Sequence, residues 1–597
     1  MILHSVDWVF IIGFFILSLA IGLAVSRRAG KNASEFFLSG RNMPWWLLGV
    51  SMVATTFSSD TPNLVTDIVR QNGVSGNWVW WAFLLTGMLT VFVYAKLWRR
   101  SKVMTDLGFY ELRYSGKAAA FLRGFRALYL GVFFNVLIMA AVSLAMIKIG
   151  GVMLKLTPVE TLLIASTITV AYSALGGLRG VLITDFFQFG IAMAGAVAAA
   201  IVAVRLPQVG GLKALLTSDA LATKLNLLPD FSDTGALLTL FILPLAVQWW
   251  SVWYPGAEPG GGGYIAQRML SAKTEKHATG ATLLFNATHY ALRPWPWIVV
   301  ALCSLLVFPD LESLRAAFPH IDPGVIRHDL AYPAMLTFLP RGLLGLVVAS
   351  LMAAFMSTIS THLNWGSSYV VNDFYKRFIN PGADERSQVL VGRISTVVLM
   401  VLAGLLALLL SNALQAFNIL LQIGAGTGLL FILRWFWWRI NPVSEITAMG
   451  VSFVIAIYFQ FIHPLTGLPA IATPVQLVTG VSLTTISWIL VTLLTKPSDK
   501  HTLRSFYSLV RPGGPGWKKV LEEAEKDGEP VDADGEGWDV PAGIVCMALG
   551  CLAVYSALFA TGNFIYGKIL LGAVLASVAL ISTYLLTKAW KKLRLLN

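Results

Sequence analysis

The sequence predicts an all-α polytopic membrane protein, and three observations carry that expectation. Of 597 residues, 56% are hydrophobic and only 13% charged, with 20 Trp and 34 Phe, which is too apolar and too poor in charge for a soluble enzyme of this length. The apolar residues gather into roughly fifteen runs, each long enough for the 20 or so helical residues that cross a bilayer. The runs lie near 7–26, 44–69, 77–98, 121–149, 158–175, 181–204, 235–255, 280–308, 335–372, 389–411, 413–438, 443–463, 474–495, 541–562 and 566–588. The excess of Lys and Arg, a formal net charge of +13, falls mostly on one side when the runs are threaded alternately. That side holds Arg27, Arg28 and Lys31, KLWRRSK at 96–102, Arg268 to Lys276, Lys376, Arg377 and the closing KAWKKLR. It reads as cytoplasmic, with the N-terminus outside and the C-terminus inside, so the basic charge marks a lipid bilayer rather than nucleic acid as partner.

The first run is not a cleaved signal peptide, because its basic pair follows the apolar stretch and Asp7 precedes it. After a basic loop the chain enters the second run through Pro44 and a Trp pair, then reads SMVATTFSSDTPNLVTDIV at 51–69. A helix disfavours this stretch: β-branched and hydroxylated residues cluster, Asp60 adds charge, and Pro62 has no N–H for the carbonyl of Ser58. The expectation is a break near Ala54 to Thr61 that frees carbonyls at membrane depth, where irregular backbone is tolerated only against a cavity, protein or a bound ion. A proline kink filled by neighbouring hydroxyls is the plainer alternative.

Asp185, in GGLRGVLITDFFQ, sits a few residues inside an apolar run, where a carboxylate is costly unless paired. It is either functional or a cap at a helix start. Around Glu258 stand Pro255, Pro259 and the glycines of PGAEPGGGG, which cannot continue a helix. This second interruption points to a solute site, with Gln248, Trp249, Trp253, Tyr254 and Glu258 offering flat apolar faces and a few polar groups; read as structure, the aromatics are interfacial anchors. Arg293, in NATHYALRPWPW, is expected to hold a substrate carboxylate, to pair with Glu258, or to snorkel to the cytoplasm.

The run RGLLGLVVASLMAAFMSTISTHLNWGSSYVVNDFY at 341–375 is apolar yet carries hydroxyls at its centre. Ala354, Ser357, Thr358 and Thr361 recur at helical spacing and form one stripe. Its hydroxyls and a spare carbonyl lone pair are hard, uncharged ligands suited to sodium; the alternative is close helix packing with each hydroxyl bonded to its own helix. GAGTG at 424–428 follows no strand and reads as packing glycines rather than a nucleotide loop. The linker 496–540 ends in acidic, Gly-rich LEEAEKDGEPVDADGEGWD and is expected to be flexible. Cys303, Cys546 and Cys551 supply neither a disulfide framework nor metal spacing, and no nucleophile with its base is grouped, so an enzyme is not expected.

SGRNMPWWLLGVSMVATTFS, SALGGLRGVLITDFFQ, YIAQRMLSAK and the 341–375 helix ending in VNDFYKR occur in an order and spacing that resembles the sodium/solute symporter family. The resemblance covers roughly residues 5–495 and implies a leucine-transporter-type bundle of five-plus-five inverted-repeat helices within the fifteen or so spans. The organisation it implies is a first helix and basic loop at 1–43, repeats at 44–205 and 235–440 separated by an outer loop at 206–234, two further core helices at 441–495, the linker 496–540, and two added helices in 541–597. It implies a sodium-coupled carrier of a small organic solute, a sugar, amino acid or related compound, working in a plasma membrane or a bacterial inner membrane. Na+ is then the coupling ion, and no organic cofactor is called for. By the family's pattern one sodium lies among Ala54 and Phe57 carbonyls, the Ala354 carbonyl and the Ser357 and Thr358 hydroxyls. In members with a second sodium the matching set here is Asp185, Ser357, Ser360 and Thr361. Thr55, Thr56, Ser58 and Gln422 complete the expected solute contacts beside those named above. A proton-coupled carrier using Asp185 or Glu258, and a membrane receptor on the same scaffold, are the rival readings.

Overall fold

The structure, a computed structural model, describes residues 3–29, 31–56, 58–251, 259–410, 426–531 and 538–595. Among these the chain is helical throughout, and its one β-type contact is the isolated bridge between Met43 and Ala272. In chain order we name α1 Ser5–Ala29, α2 Trp45–Thr56, α3 Asp60–Asn72, α4 Val74–Ser101, α5 Gly116–Leu154, α6 Pro158–Ala171 and α7 Gly177–Val204. There follow α8 Thr234–Ala246, α9 Gly263–Ser271, α10 Glu275–Val307, α11 Leu343–Ile379, α12 Glu385–Ala407, α13 Pro442–Leu465 and α14 Thr473–Leu494. The last are α15 Lys500–Val510, α16 Lys518–Lys526, α17 Val540–Ile565 and α18 Ile569–Trp590. Eleven of the described helices are long and apolar enough to cross a membrane. Three more of the expected runs appear as the shorter apolar helices α2, α6 and α8, and the first half of the run 413–438, up to residue 425, lies outside the described residues.

The interruption between Thr56 and Asp60 is where the hydroxyl cluster and Pro62 place it. α6 and α7 run on through a bend at Gly177, whose φ of +54° lies in the region that glycine enters without strain. α11 is the axis of the bundle: it packs against α1, α7, α5 and α12, and from Leu343 to Tyr369 nearly all its residues are buried. Its first turn is held by the Asp7 carboxylate, which accepts from the N–H groups of Gly342 at 2.7 Å and Gly345 at 2.8 Å. That carboxylate satisfies donors a helix start leaves open and meets the positive end of the dipole. A Cβ on Gly345 would stand 2.3 Å from the Asp7 Cα, so the residue must be glycine for α1 to approach. Gly428 follows the same rule, since a Cβ there would meet the Trp250 carbonyl at 1.6 Å; the glycines of 424–428 that are described serve packing.

The linker departs from expectation. Most of it is folded: α15 and α16 dock on residues 434–438 and on the segment 109–113, and residues 532–537 of its acidic end lie outside the described residues. Composition missed this because the apolar residues are few but aligned. Trp517 is buried, stacks on Phe506 and donates its indole N–H to the Trp435 carbonyl at 2.9 Å. The Arg113 guanidinium lies 4.8 Å above the Trp517 ring while donating to the carbonyls of Arg434, Trp437 and Trp438. The acidic residues are engaged too: the Lys500 ammonium and Arg504 guanidinium hold the Asp527 carboxyl below its ordinary range. Trp517→Ala should remove this anchor at a cost of about 3–5 kcal/mol locally and expose 511–531 to protease while the membrane-embedded helices stay intact. Limited proteolysis in detergent checks it, and an unchanged cleavage pattern refutes it.

Candidate functional site

The break in α2/α3 leaves the last carbonyls of α2 without helical partners. Two side chains from elsewhere meet them. Arg293 of α10 donates to the carbonyl of Val53 at 2.7 Å, to the carbonyl of Thr56 at 2.8 Å and to the Thr56 hydroxyl at 3.1 Å. Thr358 of α11 donates to the carbonyl of Thr55 at 2.7 Å. Arg293 is fully buried and lies 5.2 Å over the Trp297 ring, so it does not reach the cytoplasm. It is a cation at a helix C-terminus, where charge and dipole agree, held in the membrane because its fork has carbonyls to fill.

Ala54 on α2 and Ala354, Ser357 and Thr358 on α11 are all buried. Phe57 lies outside the described residues. Ser357 donates to Asp185 of α7 at 2.7 Å, and Ser51 of α2 donates to the other carboxylate oxygen. Asp185 is fully buried in mid-helix and caps no helix start.

The second expected set is only partly joined. Asp185 and Ser357 meet, but Ser360 turns its hydroxyl to the Ser357 carbonyl at 3.1 Å within its own helix. Thr361 bonds to the Thr55 hydroxyl at 3.0 Å and accepts from Arg268 of α9 at 2.8 Å. The same guanidinium reaches the Ser51 hydroxyl at 3.1 Å and lies 3.9 Å from Asp185, with the pair fully buried. A fixed cation thus already stands beside the carboxylate. The sequence placed Arg268 with the basic residues of the cytoplasmic side, whereas its guanidinium is fully buried; the signal was a lone arginine on the short helix after the second interruption. Ser51 carried no signal beyond its place before the break.

A cavity of about 480 Å³ runs from the break toward residues 327–329 of the loop after α10. Thr55, Thr56, Ser58 and Thr358 line its deep end with Tyr264, His289, Tyr290 and His362, and Trp80 stands on its wall. Trp80 stacks on Tyr290 at 5.9 Å. Nearer the mouth are Asp67, Gln71, Lys148 and Asp329, with Lys148 and Asp329 paired at 2.6 Å. Of the expected solute contacts, Thr55, Thr56 and Ser58 line this cavity, and Gln248 and Trp249 do not. Gln248 donates to the Val79 carbonyl at 2.9 Å, and half-buried Trp249 packs on Trp250 and the neighbouring core. Arg293 faces helix carbonyls rather than the cavity. Trp253, Tyr254, Glu258 and Gln422 lie outside the described residues.

The other end of the bundle is closed by charge. Asp106 accepts from the Gly263 N–H at 2.8 Å and from the Tyr369 hydroxyl, Arg123 bridges Glu111 and Asp373 at 2.6 and 2.7 Å, and Arg100 grips Glu275 with both fork arms.

An interrupted helix facing a hydroxylated one, beside a cavity open toward one end and latched at the other, defines a secondary active transporter that works by alternating access. Residues 36–450 match the sodium:solute symporter family, and the chain belongs to it as a sodium-coupled solute symporter. A sodium/mannose cotransporter of Bos taurus is 28% identical over 77% of this chain and 80% of its own. A sodium/glucose cotransporter of Vibrio parahaemolyticus is 26% identical over 77% and 86%, and a sodium/sialic acid symporter of Proteus mirabilis 24% over 75% and 88%. A solved substrate-bound, outward-open sodium-coupled sialic acid symporter shares the fold, with TM-score 0.65 at 20% identity over 83% of this chain and 99% of its own.

Arg293→Leu should leave the Val53 and Thr56 carbonyls only the Thr56 and Thr61 hydroxyls as partners and destabilise the folded protein by about 1–3 kcal/mol. Arg293→Lys, which keeps the charge but loses the fork, should recover part of this. Thermal unfolding in detergent checks both; equal melting of all three proteins would refute the cap.

Proposed function

We propose that one sodium ion is held between α2 and α11 by the carbonyls of Ala54, Phe57 and Ala354 and the hydroxyls of Ser357 and Thr358, and that the solute enters the adjoining cavity from outside. The observation that carries this is the 2.7 Å bond from Thr358 to the Thr55 carbonyl. It ties the hydroxylated face of α11 to the free end of α2, so hard oxygens from two elements converge where neither helix can satisfy them alone. Because the Arg268 guanidinium already serves Thr361 and Ser51 beside Asp185, the reading rests on this first site, and Asp185 acts by orienting Ser357.

The loops 205–233 and 308–342 are the extracellular ones, with the N-terminus outside and the C-terminus in the cytoplasm of a plasma membrane or a bacterial inner membrane. The cavity then faces outward and the ionic latches close the cytoplasmic end. Sodium entering beside the solute would release about 2.3 kcal/mol per 100 mV for each charge moved. The solute is a small organic compound of the kind the relatives carry, and its class is argued below.

Ser357→Ala and Thr358→Ala should each raise the sodium concentration for half-maximal uptake by about tenfold, the loss of one ligand being worth about 1.4 kcal/mol. Uptake of a labelled solute panel into proteoliposomes, with sodium varied at fixed pH, measures this. Unchanged sodium activation in both variants would return the stripe to helix packing.

A further inference from the structure

The face of α3 that lines the cavity carries Asp60, Asn63, Asp67 and Gln71, a stripe at i, i+3, i+7 and i+11 that begins at the break. Asn63 is buried, yet neither atom of its carboxamide has a hydrogen-bond partner, and Asp60 Oδ1 has none either. Asp67 Oδ1 accepts from Gln71 at 2.7 Å. Among the described residues no cation is paired with Asp60 or Asp67. The cations nearby are otherwise engaged or peripheral: Arg293 holds the α2 carbonyls, Lys148 holds Asp329, and Arg327 and His328 belong to the loop at the mouth. Buried polar groups in native proteins are paired, so a carboxamide left open on both sides beside a carboxylate oxygen marks a place that something else completes.

We propose that this stripe selects the charge and chemistry of the solute: a neutral polyhydroxylated molecule whose vicinal hydroxyls bond to Asp60 and Asn63. The inference rests on the symport reading above and deepens it. A hydroxyl both donates and accepts. One of an adjacent pair donates to Asp60 Oδ1 and accepts from the Asn63 amide, and the other donates to Asn63 Oδ1, so all three open atoms close at once. Trp80 and Tyr290 supply an aromatic wall for the apolar face of such a molecule. A carboxylate does the opposite. It has no hydrogen to donate to Asp60 Oδ1 or Asn63 Oδ1 and brings a negative charge toward Asp60 and Asp67, so the site discriminates by repulsion as well as by fit.

Proteoliposomes holding the intact protein are tested for sodium-driven current with three neutral polyols, D-glucose, D-mannose and myo-inositol, and two acids, D-glucuronate and N-acetylneuraminate. Binding of radioactive sodium without solute is measured alongside. The expected result is current with at least one neutral polyol and, with the acids, a response lower by about a hundredfold in apparent affinity. Asn63→Leu should raise the half-saturating polyol concentration by about tenfold or more while sodium binding is retained. Replacing both carboxylates, Asp60→Asn with Asp67→Asn, should let D-glucuronate compete with the neutral polyol. Sodium-driven current with an acid as strong as with every neutral polyol, silence toward all three polyols, or a native response in Asn63→Leu would overturn the inference and leave symport standing. Solute flux that ignores sodium would overturn symport itself.

Discussion

Carbonyl oxygens that a broken helix sets free inside the membrane are the constraint on which this structure depends. Each buried carbonyl without a partner is costly in a medium that offers no water, so the end of α2 can exist only where other elements come to meet it. Arg293 arrives from α10 with two fork nitrogens and takes the Val53 and Thr56 carbonyls; Thr358 arrives from α11 and takes that of Thr55. The three helices are thereby held to one another at mid-bundle. A break that is a liability in an isolated helix becomes the point at which two inverted halves of a transporter touch.

Buried arginine repeats this role across the chain. Arg70 gives its fork to the Ser304 and Phe308 carbonyls at the end of α10, and Arg113 to the carbonyls of Arg434, Trp437 and Trp438. A rigid fork of five donors suits splayed helix-end carbonyls, whereas a lysine supplies one flexible point. Arg268 differs, since it faces hydroxyls and a carboxylate rather than carbonyls. It connects α9, the helix that follows the second interruption, to the hydroxylated face of α11. One guanidinium thus joins α9 to Ser51, Thr361 and Asp185.

The docked linker belongs to the same logic at the end of the bundle away from the cavity mouth. α15 and α16 sit across residues 109–113 and 434–438, which come from opposite halves of the chain, and Trp517 and Arg113 fill the seam between them. Below the cavity, Glu111, Asp373 and Glu275 close the bundle as arginine pairs, with Asp106 held by the Gly263 N–H and the Tyr369 hydroxyl. Polar contacts are suited to a gate, because water can replace them when the gate opens, whereas an apolar seam would have to expose hydrocarbon.

The sequence by itself determined the class of protein, because the bilayer imposes two constraints that are local: enough consecutive apolar residues to cross it, and no irregular backbone without a reason. The spans, the break near Pro62 and the hydroxyl stripe of α11 follow from these rules residue by residue. What only the tertiary structure decided is which polar group answers which. Arg293 was one residue with three plausible partners, and its true partners are carbonyls 237 to 240 positions away. Gln248 looked like a solute ligand until the neighbouring Val79 carbonyl claimed it, and Arg268 and Asn63 acquired meaning only when α2, α3, α9 and α11 were set side by side. Burial and pairing are properties of the assembled bundle: a side chain's chemistry is written in the sequence, but its partner depends on how distant helices pack.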